Sequence, residues 1–152
     1  MDNRFSVDLP DFLSSSGSLN ENNSIQYQNK SRNFYVIIIE QPIDGFHEFL
    51  EDFYLSEDYS EDLQGYSQLL LDDFEEEADN MEIISGEDTF INGMEAKVVR
   101  FTGEMESQSA YFHMGCYKGK NTYYQIVTWV PLSKKEKYDY ILSDIIHSFT
   151  EI

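Results

Sequence analysis

Hydrophobic and polar positions alternate along some stretches of the chain and recur with helical spacing along others, and each change of period marks a new element. Phe5, Val7 and Leu9 alternate with polar neighbours, which predicts a first strand ended by Pro10. Residues 14–23 are rich in Ser and Asn and predict a loop. Residues 24–28, with Ile25 and Tyr27 on one face, predict a short strand, and residues 29–33 a hairpin turn. The continuous apolar run over 34–40 predicts a central strand covered on both faces.

Helical spacing then takes over. Phe46, Phe49, Leu50 and Phe53 form one stripe, predicting a helix over 45–55 with Asp44 as its N-cap and His47, Glu48, Glu51 and Asp52 on the far side. Leu63, Tyr66, Leu70 and Phe74 predict a second helix over 62–78, with Gly65 weakening its first turn. Period two returns at 81–85. The pair Asn92-Gly93 predicts a two-residue hairpin turn. Strands follow over 95–102, 109–117 and 122–130, joined by loops 103–108 and 118–121, with Gly86 and Gly103 as turn glycines and Pro131 as the stop. Ser133 and Glu136 have capping-box spacing, and Tyr138, Ile141, Leu142, Ile145, Ile146 and Phe149 make a stripe wide enough to lie flat on a sheet. The sum is one α+β domain over residues 1–152: a mainly antiparallel sheet of about six or seven strands, a two-helix insert and a closing amphipathic helix.

Charge gives that layout a polarity. Between Asn33 and Ala96 there are 19 Asp and Glu and no Lys or Arg, so this one segment carries the whole net charge of −19. Phosphate contacts need clustered Lys and Arg, which excludes nucleic acid as a partner and disfavours anionic membrane surfaces. Another protein with a basic surface, or a cation, is permitted. The single cysteine, Cys116, precludes an internal disulfide and falls in an alternating apolar run, where it reads as a buried strand thiol. The longest apolar run is six residues, Phe34 to Ile39, and the N-terminus has no signal-type apolar region. The expectation is a chain without direct membrane insertion, cytoplasmic as given, or periplasmic or envelope-located if a signal was removed.

The FSVDLP opening, the Asn92-Gly93 turn, the strand over 123–130 and the closing helix ending in Ser148 and Phe149, in this order, resemble the PsbP-like superfamily, which takes in small bacterial lipoproteins of the DcrB type. The resemblance covers nearly the whole chain and rests on structural residues. It implies an α/β/α sandwich and a non-enzymatic role without catalytic residues. Members include extrinsic photosystem II subunits, a Ran-binding nuclear transport factor, envelope lipoproteins and chaperones for secreted effectors.

Candidate chemistry is sparse. Glu57, Asp58, Glu61 and Asp62 lie between the two predicted helices, and Asp72, Asp73, Glu75, Glu76, Glu77 and Asp79 end the second. They read as a solvated face or as a surface for a basic partner, with Glu57, Asp58, Glu61, Asp62, Asp72, Asp73 and Glu76 as its candidates. No calcium-loop, zinc-binding, nucleophile-elbow or phosphate-loop pattern occurs, so no metal or cofactor is expected. His47, His113 and His147 are scattered and read as surface or boundary residues. Tyr111, Tyr117, Tyr123 and Trp129 read as one face of neighbouring strands, opposite Phe112, Tyr124 and Ile126. That face is either covered by a helix layer or open as a groove for a peptide or hydrophobic ligand, with Arg100 on the same sheet placed to pair an acid of the insert. The function expected is a non-catalytic protein-interaction, adaptor or chaperone-like domain. The alternatives are a carboxylate-dependent hydrolase, which needs two acids converging in a pocket, and a divalent-cation-binding protein.

Overall fold

The computed structural model of the chain describes residues 5–15 and 24–152. In chain order the elements are β1 (Phe5–Ser6), β2 (Ser14–Ser15), β3 (Ser24–Asn29), β4 (Phe34–Pro42), α1 (Ile43–Asp52), α2 (Leu63–Glu77), β5 (Asp79–Ile91), β6 (Met94–Met105), β7 (Gln108–Lys118), β8 (Thr122–Pro131), a 3-10 turn (Leu132–Lys134), α3 (Lys135–Ser148) and β9 (Thr150–Glu151). Strands β2 to β8 form a seven-stranded antiparallel sheet in the order β2-β3-β4-β8-β7-β6-β5, and β1 pairs separately with β9. Helix α3 covers one face and α1 with α2 the other, the α+β sandwich expected.

Alternation along the strands builds two cores. On the α3 face, Phe34, Val36, Ile38, Tyr117, Tyr124 and Ile126 meet Tyr138, Leu142, Ile145 and Ile146 of the helix. On the opposite face, Val99, Phe101, Phe112, Met114, Tyr123 and Val127 meet Phe46, Leu50, Leu63, Tyr66 and Leu71. Cys116 is fully buried in this second core, where burial pushes its thiol up to about 12 and keeps it a protonated apolar group.

The β5–β6 connection is the predicted Asn-Gly turn: Asn92 and Gly93 take φ of 49° and 83°, the left-handed pair that matches strand twist. The Asn92 side chain goes further, donating to the Phe149 carbonyl at 2.8 Å and to the His147 carbonyl at 3.4 Å, so the turn also satisfies the C-terminal end of α3.

Several boundaries differ from the pattern reading. The first strand is only Phe5–Ser6, although Val7 and Leu9 still pack on the α3 core. Within the predicted loop 14–23, Ser14 and Ser15 pair with Gln28 and Tyr27, and 16–23 lie outside the described residues. Helix α1 begins at Ile43, so Asp44 sits inside its first turn and caps nothing. Only Phe46 and Leu50 of its stripe are buried; Phe49 and Phe53 are exposed and pack on each other. The predicted strand over 81–85 is part of a 13-residue strand. Gly86 and Gly103 lie within strands, and the β6–β7 turn is instead Glu106-Ser107, both at positive φ. The capping box at Ser133 and Glu136 is not formed, because β8 runs straight into the 3-10 turn and the N-cap position falls on Lys134. Phe149 ends the helix and is buried against Tyr117 at 4.4 Å.

Candidate functional site

The cross-strand register sets the site. Tyr117 of β7 pairs with Tyr124 of β8, and Tyr111 with Val130, so odd positions of β7 share a face with even positions of β8. Tyr111 and Tyr117 therefore face α3, whereas Tyr123 and Trp129 face α1 and α2: the four aromatics expected on one face divide between two. Tyr111, Tyr117 and Tyr123 are buried, each with its ring inside a helix–sheet layer. Burial pushes the Tyr117 phenol well up, and its hydroxyl donates to the Ile146 carbonyl of α3 at 2.6 Å. These three side chains build the core, and Trp129 alone of the four reaches the surface.

Trp129 belongs to an aromatic ladder that crosses four strands on the α1/α2 face. Tyr35 of β4 stands opposite Trp129, Trp129 opposite Phe112 of β7, and Phe112 opposite Phe101 of β6. Successive ring centroids are 5.3, 5.8 and 4.8 Å apart, with interplanar angles of 22°, 33° and 9°. Phe74 of α2 closes one end, edge-on to Phe101 and Phe112 at 5.2 and 5.7 Å. The other end is open. There Tyr35, Phe112 and Trp129, with Met105, Ala110 and Pro131, line a cleft of about 570 Å³, rimmed by Asn33, Glu106, Gln108, Ser109, Ser133 and Lys134. No residue of α1 or α2 takes part in this lining.

Phe74 also ties the ladder to the acidic segment. It is the apolar residue within the run from Asp72 to Glu77, so the last turn of α2 brings Asp73, Glu75, Glu76 and Glu77, all exposed, to the covered end of the ladder. No basic residue offsets them in that turn. Burial raises the Asp73 carboxyl above its ordinary range, and repulsion from Glu76, Glu77 and Asp72 adds to it. Two of the candidate acids are engaged in the fold. Asp62 is the N-cap of α2, accepting from the Gly65 amide at 2.9 Å and the Ser60 hydroxyl at 2.5 Å; these bonds hold its carboxyl below the ordinary value. Asp72 accepts from Tyr59 at 2.5 Å and from Gln68 at 2.9 Å, which fastens the α1–α2 loop to α2. Glu57, Asp58 and Glu61 are exposed in that loop, Glu61 lying 3.9 Å from His47.

Another polar cluster lies under α3. His113 is 2 % exposed, with Nε2 3.0 Å from Asp139 Oδ1 and 3.0 Å from the Tyr111 hydroxyl, which itself donates to the same carboxylate oxygen. Burial holds the His113 imidazole below its ordinary value, against the pull of Asp139. For Asp139, burial pushes upward, but the hydrogen bonds from Tyr111 and His113 and the nearby positive charge outweigh it, and the carboxyl stays low. Arg100 is on this face too, bonded to Ser85 rather than to an acid of the insert as the pattern suggested. Among the described residues no group of three or more His, Cys, Asp or Glu side chains is placed to hold a metal ion, and no helix is long and apolar enough to cross a membrane.

No protein-family model and no curated protein matches the chain. Solved structures do. The solution structure of cyanobacterial PsbP (CyanoP) from Synechocystis sp. PCC 6803 superposes with a TM-score of 0.65 at 8 % identity, over 97 % of this chain and 86 % of that one. The chain has a PsbP-like fold. LpqN, involved in cell envelope biogenesis of Mycobacterium tuberculosis, shares the PsbP-like fold with this chain at a TM-score of 0.57 and 9 % identity, over 99 % and 86 % of the two chains. A protein of unknown function from Pseudomonas aeruginosa, PA94, does so at 0.60 and 8 %, over 90 % and 94 %. At such identities the likeness shows the fold, and function has to be argued from the site. The sequence pointed to Trp129 but missed its partners Tyr35 and Phe112. Their signal was strand alternation combined with register, and the register is not written in any single strand.

Proposed function

We propose that the chain is a non-catalytic interaction domain that holds a basic segment of another protein across the open end of the aromatic ladder. The observation that carries this reading is the aromatic ladder itself: one end is open as the cleft at Tyr35, Phe112 and Trp129, and the other, covered by Phe74, meets the α2 turn of exposed carboxylates. Aromatic faces supply contact area at little entropic cost and attract Arg and Lys side chains. The acids attract the same partner at longer range and set its orientation. The PsbP-like fold of CyanoP and LpqN is compatible with such a role and does not choose a partner. The hydrolase alternative receives no comparable support, because Glu57, Asp58, Glu61, Asp73, Glu75, Glu76 and Glu77 are exposed while Asp62 and Asp72 are taken up by hydrogen bonds that hold the α1–α2 loop and α2.

Trp129 is the only tryptophan, so its fluorescence reports directly on the cleft. Titration with Arg- and Lys-rich peptides that carry an aromatic residue is expected to change Trp129 emission saturably, with affinity falling as salt is raised. Acidic peptides of the same size are expected to give no change. Equal responses to acidic and basic peptides, or binding indifferent to salt, would refute the charge half of the proposal. Binding that leaves Trp129 emission untouched would refute the cleft half.

A further inference from the structure

A second exposed aromatic surface lies at the C-terminal end of α1 and shares no residue with the lining of the Trp129 cleft. Phe49, Phe53 and Tyr54 are 39 %, 63 % and 91 % exposed, and the two phenylalanine rings pack on each other at 4.8 Å. The backbone there closes as a left-handed helix cap. The Tyr54 amide donates to the Glu51 carbonyl at 3.2 Å and the Leu55 amide to the Leu50 carbonyl at 2.8 Å. These are the paired bonds of a Schellman motif, with Tyr54, at φ 57°, where glycine is the usual residue. The other left-handed positions of the described residues are held by Asn, Glu, Ser and Gly, and Tyr54 is the one aromatic among them.

The Tyr54 ring does not offset this strain by packing, since almost all of it is in solvent. The chain on either side is fixed: Leu50 is fully buried, and Leu55 packs in the same α1/α2 core. The fold therefore holds a bulky aromatic in a strained conformation at a rigid point of the surface. Strain kept where it does nothing for the fold points to a use outside it.

Charge decides what can cover these rings. Glu48, Glu51, Asp52, Glu57 and Asp58 flank them in sequence, all exposed, and among the described residues none of the five is in an ion pair. Glu48 and Asp52 form the next row of the α1 surface beside Phe49 and Phe53. The last turn of α1 has no basic residue, so the negative end of the helix dipole adds to their field. A second copy would set these acids against themselves, and an anionic lipid surface would meet the same repulsion. Lys and Arg around an apolar pocket complement the whole arrangement, and their side chains also stack on exposed rings. We infer that Phe49, Phe53 and Tyr54 anchor a second docking surface, for a partner protein that presents an apolar pocket rimmed by Lys and Arg. Aromatic anchors inside a polar rim are the residues that carry most of an interface's affinity. The surface stands whether or not the Trp129 cleft binds a peptide.

The test is an amide chemical-shift titration of the intact chain with an amphipathic helical peptide carrying Leu on one face and Lys and Arg on the other. The control peptide has Glu in place of each Lys and Arg. The basic peptide is expected to shift Phe49, Phe53 and Tyr54 saturably, with affinity falling as salt rises, and the acidic one to leave them unmoved. Tyr54→Gly is expected to raise the melting temperature by about 2–4 °C while weakening the basic peptide about tenfold. Phe53→Ala, at a site already exposed, is expected to weaken it by a similar factor with little change in melting temperature. Unaltered affinity in both variants overturns the assignment. So does an equal response to the acidic peptide or to phosphatidylcholine vesicles. Shifts at these residues that grow with protein concentration alone would make the occupant a second copy and overturn it too. The Trp129 indole signal reports the cleft separately: a response there with none at Phe53 and Tyr54 overturns this surface and leaves the cleft reading standing.

Discussion

Single side chains decide how α3 is held. Asn92 does two things at once: it takes the left-handed turn conformation and it donates to carbonyls at the end of a helix 55 and more residues away. Asn92→Gly preserves the turn and removes the donor, so it is expected to cost about 1 kcal/mol of stability. Asn92→Ala loses the donor and forces alanine into positive φ, adding roughly another 1 kcal/mol. Denaturant unfolding of both variants checks the order; equal losses would mean that the side-chain bonds contribute nothing. Gly115 is a second such position. A Cβ there would lie 2.5 Å from the Tyr117 hydroxyl and 3.1 Å from Ile146, so the glycine permits the close approach of α3 that the Tyr117–Ile146 bond requires. Gly115→Ala is expected to lower stability by about 1–3 kcal/mol through displacement of that bond. Asn92-Gly93 was legible as a turn because its chemistry is local. Its role at α3 was not, because the distance that matters is set by the whole sheet.

At the scale of elements, the strands and helices were readable wherever one face is apolar and the other polar. Helix α3 and strands β6 to β8 came through with boundaries displaced by a few residues. The errors fall where a local motif competed with its surroundings. The Ser133–Glu136 spacing was overridden by β8 continuing to Pro131, and Asp44 by α1 starting at the end of β4. The aromatic site was half legible: Trp129 by its residue type, Tyr35 and Phe112 only once pairing is known. Helix α2 was legible together with its unfavourable charge, since its last turn sets four carboxylates against the negative end of the helix dipole. Reversing one of them should therefore stabilise the helix. Glu77→Lys is expected to raise stability by about 0.5–1 kcal/mol and so to raise the melting temperature. The same substitution is expected to weaken a basic peptide bound at Trp129, so the acids that cost stability are the ones the proposed function uses. A stabilised variant with unchanged peptide affinity would separate the two.

At the scale of the whole molecule, one group on each face of the sheet, Asp73 and His113, is expected to link stability to pH in opposite directions. On the α1/α2 side, the Asp73 carboxyl is raised above its ordinary value of 3.8. Its contribution to stability is complete below that value and is lost as pH rises through the folded-state value, so acidification from neutrality favours the fold here. On the α3 side, the His113 imidazole is depressed below its ordinary 6.5. Its contribution is complete above 6.5 and is lost as pH falls through the lower folded-state value, because a buried proton-free ring must then be charged beside Arg100. Asp139, also depressed, loses its contribution in the same direction but at lower pH. Between the two ordinary values the faces therefore oppose each other, and the melting temperature of the unaltered chain is expected to change little. Asp73→Asn removes the acid-favoured contribution and should leave a melting temperature that falls on acidification. His113→Asn removes the opposing one, and its melting temperature should rise or hold as pH is lowered toward the carboxylate range. Thermal melts of the three proteins across that window test the sign of each contribution separately. Parallel pH profiles would mean that neither group is linked to folding, and that the segregation of charge between the two faces has no consequence for stability.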